Sequence, residues 1–241
     1  MATSLLVTTS WDDGHELDTR MAALLADHGC RGTFYVSPRS REIPPGQRIS
    51  ATALRDLSTA FEVGCHTLTH PHLTRLPPAE AAREIDDGKR ALEDVLGRAV
   101  TSFCYPYGDY DQRHVAMVRA AGFRVGRTTR RFSVAVPAEP LEMPTTTHAA
   151  RYRADLLRVP RWAASPWAAF RLWRNWDQQA RRTFAPAYEH GGVIHIWGHS
   201  REVDDNGDWQ RLAALLEELR NRDGVTMVTN GELGRHLEGG A

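Results

Sequence analysis

An α/β fold with parallel strands and helices packed outside them is what this sequence predicts, and three observations carry the prediction. Strand-like and helix-like segments alternate along most of the 241 residues. The acidic and imidazole-bearing segments each follow directly on a strand-like run, as side chains gathered at the strand ends of a parallel sheet would. No internal repeat or low-complexity linker interrupts the pattern, so residues 1–241 read as a single unit. Strand then helix, repeated, leaves two architectures open: a barrel, or an open doubly wound sheet.

The elements follow in order. Leu5–Ser10 is a short apolar and β-branched run that ends at Trp11-Asp12-Asp13-Gly14. From Glu16 to His28 the apolar residues Leu17, Met21, Leu24 and Leu25 recur at helical spacing, and Gly29 stands at the C-cap position. Arg31–Val36 reads as a second strand and Ser50–Phe61 as a helix with Ser50 as N-cap. Glu62–Cys65 is a short strand running into His66. Pro77-Pro78-Ala79-Glu80 opens a long helix to about Leu96, stopped by Gly97. Val100–Cys104 and Phe123–Arg127 are strands on either side of a helix over Asp111–Ala121. Later, Gly192–Trp197 and Val225–Val228 are strands with a helix over Trp209–Arg220 between them.

The interval from Ser133 to His190 is the least regular. Residues 133–160 are Pro-rich and loop-like. Ser165-Pro166 then starts a helix that runs to about Tyr188. Trp167, Phe170, Trp173 and Trp176 recur every third residue along it, interleaved with Arg161, Arg171, Arg174, Arg181 and Arg182. The plain expectation is an amphipathic helix that buries its aromatic stripe in the core. A cleft wall, a dimer surface or an acidic-ligand patch are the functional alternatives.

Two segments carry chemistry. Asp12 and Asp13 are adjacent carboxylates at a strand end, so one can bind a metal while the other faces the neighbouring space. Asp and Gly are also ordinary turn residues, which makes this signal weak alone. In Gly64-Cys65-His66-Thr67-Leu68-Thr69-His70-Pro71-His72 two histidines lie four apart. On a helical turn that spacing puts both imidazoles on one side, as a chelate requires. Two imidazoles and one carboxylate suit zinc and related first-row ions.

Together with Phe103-Cys104-Tyr105-Pro106-Tyr107-Gly108 and Ile196-Trp197-Gly198-His199-Ser200-Arg201-Glu202, these segments resemble, in order, the motifs of the polysaccharide deacetylase family of metal-dependent carbohydrate esterases. The resemblance runs from about Leu5 to His199. It implies an irregular (β/α) barrel and hydrolytic N-deacetylation of an acylated amino sugar. Carried over by position, it implies Asp13, His66 and His70 as ligands of one divalent ion, zinc first, with cobalt, nickel, iron or manganese as alternatives. Asp12 resembles the general base, and His199 the general acid that protonates the leaving amine. Tyr107 resembles the residue whose backbone N–H completes an oxyanion hole. Tyr105, Trp197 and Arg127 are carried as substrate contacts, with Trp197 as a wall for the acyl methyl. Many members have an arginine in the third motif that orients the base, but Cys104 stands there in this chain. Arg127, near a later strand end, is the candidate replacement, and a surface arginine is the default reading.

Other residues have plain readings. His72 caps its loop, and His195, alternating with Ile194 and Ile196, is a core or rim histidine. His148 lies in a loop, and His15 beside Asp13-Gly14 could meet substrate. Cys65 and Cys104 are buried thiols, with Cys65 turned away from the metal by strand alternation.

Composition narrows the partners. Lys+Arg and Asp+Glu balance at 30 each, so no global field draws the chain to nucleic acid or an anionic membrane. The Met1–Val7 segment has no basic n-region, and no apolar run approaches the roughly 20 residues that span a bilayer. Three widely spaced cysteines make neither a disulfide framework nor a zinc knuckle. A reduced, cytoplasmic setting is the expectation, with the oligomeric state open. Two further readings stand beside the deacetylase: the same site on a non-sugar C–N bond, and a non-catalytic carbohydrate-binding relative.

Overall fold

The computed structural model describes residues 5–152, 155 and 164–239. The expected alternation is present: β1 (Leu5–Asp13), α1 (Asp18–Asp27), β2 (Thr33–Val36), α2 (Ala51–Leu57), β3 (Glu62–Cys65), α3 (Pro78–Leu96), β4 (Ser102–Cys104), α4 (Gln112–Ala120) and β5 (Val125–Arg127). Then come β6 (Thr147–His148), α5 (Pro166–Arg174), α6 (Trp176–His190), β7 (Gly192–Gly198), α7 (Ser200–Asp205), α8 (Trp209–Arg220), β8 (Val225–Met227) and α9 (Asn230–Gly239).

These strands pair in parallel, in the order β5-β4-β3-β2-β1-β7-β6. β2 takes the C-terminal half of one side of β1 (Ser10–Asp13), and β8 pairs with Leu5–Val7. The sheet curls into an irregular, open (β/α) barrel, which decides between the two architectures left by the sequence. β1 is buried along nearly its whole length, as a parallel strand covered on both faces must be. Its polar side chains are satisfied inside. Thr8 bonds Asn230 at 2.8 Å, Thr9 donates to the Arg31 carbonyl at 3.0 Å, and Ser10 meets His195 Nε2 at 2.9 Å.

Local signals account for the helices that were read correctly. The Ser50 hydroxyl accepts from Ala53 N–H at 3.1 Å, and Gly97 ends α3 at φ +67°. In α8, Leu212, Leu215, Leu216 and Leu219 are fully buried on one face. Each contributes about 1.5–3 kcal/mol by leaving water.

The helix expected from Ser165 to Tyr188 is two helices, broken at Asn175, whose side chain donates to the Arg171 carbonyl at 2.8 Å. The aromatic stripe therefore does not bury as one. Trp176 is fully buried and donates to Asp208 at 2.8 Å, whereas Phe170 is 39% and Trp167 69% exposed. α5 packs instead through Ala169 and Leu172. Met1–Ser4, Arg161 and part of the 133–160 loop lie outside the described residues.

Candidate metal centre and active site

The proposed ligands come from two strand ends. β1 terminates in Asp13 at φ +82° and Gly14 at φ +78°. A Cβ on Gly14 would stand 2.6 Å from Val36 Cγ1, so the turn that presents both carboxylates needs glycine there. His66 follows β3. The His66–His70 segment is not the helical turn expected from the spacing, because Thr67 and His70 both have φ +65°. α3 clamps the loop instead. The Leu68 N–H donates to the Glu84 carbonyl at 2.9 Å, and the Glu84 carboxylate accepts from the Thr69 N–H and hydroxyl at 2.8 Å each. Gly88 lets the α3 backbone approach, since a Cβ there would meet the Thr67 carbonyl carbon at 2.6 Å. Two imidazoles are thereby fixed by tertiary contact rather than by helix geometry.

The outer nitrogens of both rings face acceptors. His66 Nδ1 donates to the Cys104 carbonyl at 2.8 Å, and His70 Nδ1 lies 3.0 Å from a Glu42 carboxylate oxygen. The Cys104 carbonyl thus takes the His66 Nδ1 proton and leaves a lone pair on His66 Nε2, whereas His70 Nδ1 makes no hydrogen bond among the described residues. The two Nε2 atoms are 3.2 Å apart, and Asp13 Oδ1 lies 3.7 and 3.3 Å from them. Asp13 Oδ1 is buried with no hydrogen-bond partner among the described residues. Asp13, His66 and His70 thus bring three ligand atoms close enough together to hold one ion. Burial, reinforced by neighbouring His70, holds the His66 pKa well below the ordinary value, which keeps that imidazole neutral as a ligand must be.

Asp12, 2% exposed, lies beside this cluster. Its Oδ2 accepts from Arg127 Nη2, while Oδ1 has no partner among the described residues. Arg127 is fully buried and does not line the cavity, which corrects both its default reading as a surface arginine and its assignment as a substrate contact. It reaches Asp12 from the end of β5, and its guanidinium lies 4.5 Å from the Trp197 ring centroid. Arg127 thus holds the Asp12 carboxylate, beside which Cys104 offers no guanidinium. The Cys104 thiol packs 4.0 Å from Asp12 Oδ2 and 3.9 Å from His66 Nε2. Asp12, His66 and Cys104 make a second grouping close enough to share an ion, but burial raises the Cys104 pKa well above the ordinary thiol value and favours the neutral thiol. Breaking a buried ion pair by removing one partner costs about 3–5 kcal/mol. Arg127→Met is therefore expected to lower unfolding stability by about that amount in urea titrations, and to reduce turnover by freeing the Asp12 carboxylate.

His199 faces Asp13 across the cavity, with Nε2 3.8 Å from Asp13 Oδ2. Its Nδ1 pairs with Glu202 Oε2 at 2.6 Å, and the same oxygen lies 3.2 Å from His148 Nε2. Burial opposes the charge on His199, but Asp13 and Glu202 outweigh it and raise the pKa. Burial works the other way on Glu202, yet bonds to His148 and His199 hold its carboxyl well below the usual range. Glu202 thus orients the ring of His199. His148 packs against Trp197 at 4.3 Å between centroids.

Tyr107 has φ +58° in the turn after β4, and its turn hydrogen bonds use the Gly108 and Asp109 N–H groups. Its own N–H has no acceptor among the described residues, as an oxyanion donor requires. The Tyr107 ring stacks on His72 at 3.9 Å, and its hydroxyl donates to Glu42. Tyr105 lines the cavity by its ring, with its hydroxyl donating to the Leu141 carbonyl at 3.0 Å. Trp197 and His15 also line the cavity, which holds about 260 Å³. His195 lies in the core against Ser10, and Cys30, Cys65 and Cys104 are free and buried.

Sequence reasoning missed Glu42, Glu202 and Asp18. Asp18, in the first turn of α1, is fully buried and accepts from the Ser200 hydroxyl at 2.6 Å. Burial pushes its pKa up to about 8, with Asp13 and Asp12 adding to the rise. The folded chain therefore binds this proton more tightly than the unfolded one. That stability is present below the unfolded pKa of about 3.9 and is lost as pH rises towards 8. Asp18→Asn is expected to flatten this slope. In urea unfolding of chelator-treated protein at pH 5 and pH 8, the variant should lose less stability than the native chain, by on the order of 2–4 kcal/mol.

A barrel of parallel strands with carboxylates and imidazoles gathered at the strand ends is an enzyme architecture. Residues 3–126 match the family model described as polysaccharide deacetylase, and the chain belongs to that family. It is 29% identical over 120 residues to chitin deacetylase 1 of Cryptococcus neoformans var. grubii, covering 49% of this chain and 24% of that protein. It is 31% identical over 105 residues to the peptidoglycan-N-acetylmuramic acid deacetylase PdaC of Bacillus subtilis, covering 43% of this chain and 21% of that protein. The matched segments thus span less than a quarter of each relative. Among solved structures, a Mycobacterium smegmatis protein of the polysaccharide deacetylase type superposes with a TM-score of 0.74 at 16% identity, covering 100% of this chain and 92% of that one. The chitin deacetylase of Colletotrichum lindemuthianum gives a TM-score of 0.62 at 16% identity, covering 96% and 88%. Among the described residues, no helix is long and apolar enough to cross a membrane.

Proposed function

We propose that this chain is a metal-dependent N-deacetylase that hydrolyses the acyl group, acetyl first, from an acylated amino sugar. The observation that carries the reading is the convergence of Asp13 Oδ1 and the two imidazole Nε2 atoms, 3.2 to 3.7 Å apart, beside a buried carboxylate held by Arg127. Asp13, His66 and His70 would hold one divalent ion, zinc foremost. Held there, the ion would supply Lewis-acid chemistry, lowering the pKa of a water and polarising the acyl carbonyl.

The chain's own residues do the rest. Asp12 takes the proton of the attacking water on Oδ1, because Oδ2 is committed to Arg127. The Tyr107 N–H shares the charge that develops on the carbonyl oxygen. His199, turned by Glu202, donates from Nε2 to the leaving nitrogen, which departs poorly otherwise. The rings of Trp197 and Tyr105 give the acyl methyl an apolar wall. The reading takes residues 1–241 as one catalytic unit in a reducing, cytoplasmic setting. The family membership and the two deacetylase relatives support the substrate class.

Acetate release from a panel of N-acetylated sugars and small non-sugar amides, with and without zinc, tests it. Zinc-dependent release from the sugars alone is expected. Release from the amides alone would move the site to another C–N bond, and no release from any substrate would favour a binding relative.

A further inference from the structure

We propose that the aromatic face of α5 extends the substrate cleft and holds sugar units flanking the one at the metal centre, so that the chain prefers a saccharide longer than its cavity; this rests on the deacetylase reading above. A cavity of about 260 Å³ is smaller than most pockets that enclose a drug-sized ligand. A saccharide chain must continue outside it. Five large hydrophobic side chains are exposed among the described residues: Tyr107, Val136, Tyr152, Trp167 and Phe170. Tyr107 and Tyr152 line the cavity, and Trp167 and Phe170 stand on α5.

Trp173 joins the two groups. Its Nε1 donates to the Tyr152 carbonyl at 3.0 Å, and its ring lies 5.8 Å from that of Phe170. Phe170 lies another 5.8 Å from Trp167, with the two planes 11° apart. A row of three rings, Trp173, Phe170 and Trp167, therefore runs along the helix from the point where Trp173 is hydrogen-bonded to the backbone of the cavity-lining Tyr152. The packing of α5 does not require this row, because its buried contacts are Ala169 and Leu172. α5 contains no acidic residue, and its Arg171 and Arg174 are exposed with no carboxylate partner among the described residues. Flat ring faces suit the C–H faces of pyranose units, and guanidinium groups donate to hydroxyl and acyl oxygens. Exposed aromatics with arginines could also serve an anionic membrane surface. Continuity with the cavity through Tyr152 and Trp173 favours the saccharide.

The zinc-loaded native chain and the Trp167→Ala/Phe170→Ala double variant would be compared on the hexamer and dimer of N-acetylglucosamine. The native chain is expected to favour the hexamer in kcat/KM by about tenfold. The double variant should lose that preference while keeping its dimer activity, zinc content and melting temperature. Equal hexamer-to-dimer ratios in the two proteins overturn the proposal. Pelleting of the native chain but not the variant with phosphatidylglycerol vesicles, or a native dimer that becomes a monomer in the variant, assigns the face elsewhere if the ratios stay equal. A native chain inactive on both oligomers overturns the deacetylase reading and this proposal with it; activity on both with unchanged ratios overturns only the proposal for α5.

Discussion

Asp12→Asn is expected to keep one divalent ion per chain while turnover falls by about 10²–10⁴-fold, the range a positioned general base supplies. The substitution keeps the shape of the side chain and an acceptor for Arg127, but it removes the basicity of the oxygen at Oδ1. It also leaves the Arg127 guanidinium buried without its counter-charge, since Arg127 and Asp12 are almost completely excluded from solvent. Some stability is lost as well, and chemical unfolding would separate that loss from the loss of turnover. The discriminating pair of readings is metal content and kcat on one preparation. Full metal with kcat near the native value would remove Asp12 from the role of base. Loss of metal would make it a ligand, with Cys104 and His66 as its partners in the second grouping at this site.

His66→Ala is the second large effect, and it acts on binding rather than on proton transfer. His66 is buried at 2% exposure, with Nδ1 anchored on the Cys104 carbonyl and Nε2 facing His70 and Asp13. Without it, Asp13 and His70 form a two-point site. Metal content after dialysis should fall from one ion per chain to near zero, and acetate release should fall to background. A protein that stays folded by circular dichroism and retains its ion would show that the ligands lie elsewhere. The electrostatics give the stability a sign too. In the native apo chain Asp13 Oδ1 has no hydrogen-bond partner among the described residues, so zinc should raise the melting temperature of the native protein and leave that of His66→Ala unchanged.

Much of the barrel is legible in the sequence because its signals are local. Ser50, Gly97 and the leucines of α8 each announce a cap or a buried face within a few residues. β6 is two residues long and α7 carries no comparable boundary signal, so they pass unnoticed; α9 has one in the reciprocal Thr229–Glu232 capping box, which the sequence reading passes over. Asn175 breaks one apparent helix into two, and the resulting packing through Ala169 and Leu172 exposes rings that periodicity alone would bury.

In the site, the grouping of Asp13, His66 and His70 is legible because Asp13 ends one strand, His66 follows directly on another and His70 lies four residues further on. The cause of the imidazole geometry is not, since it depends on Gly88 and Glu84 of a helix that follows the loop in the chain. Arg127 is the clearest instance. Its role depends on β5 lying across the barrel interior from β1, 115 residues away in sequence. Nothing near Val125-Gly126-Arg127 distinguishes a buried counter-ion from a surface charge. Glu42 and Asp18 stand in a connecting segment and a first helical turn, where a carboxylate is ordinary, and only the folded chain brings them to His70 and Ser200, whereas Glu202, three residues after His199, could have been found from that spacing.

The measurement that bears most directly on the metal centre is acetate release from N-acetylglucosamine oligomers by chelator-treated protein, followed through a zinc titration. The account predicts no release before zinc, and release that rises to a plateau at one ion per chain. Release from the metal-free protein equal to that of the loaded protein would contradict it, as would a loaded protein that binds one zinc at Asp13, His66 and His70 and frees no acetate.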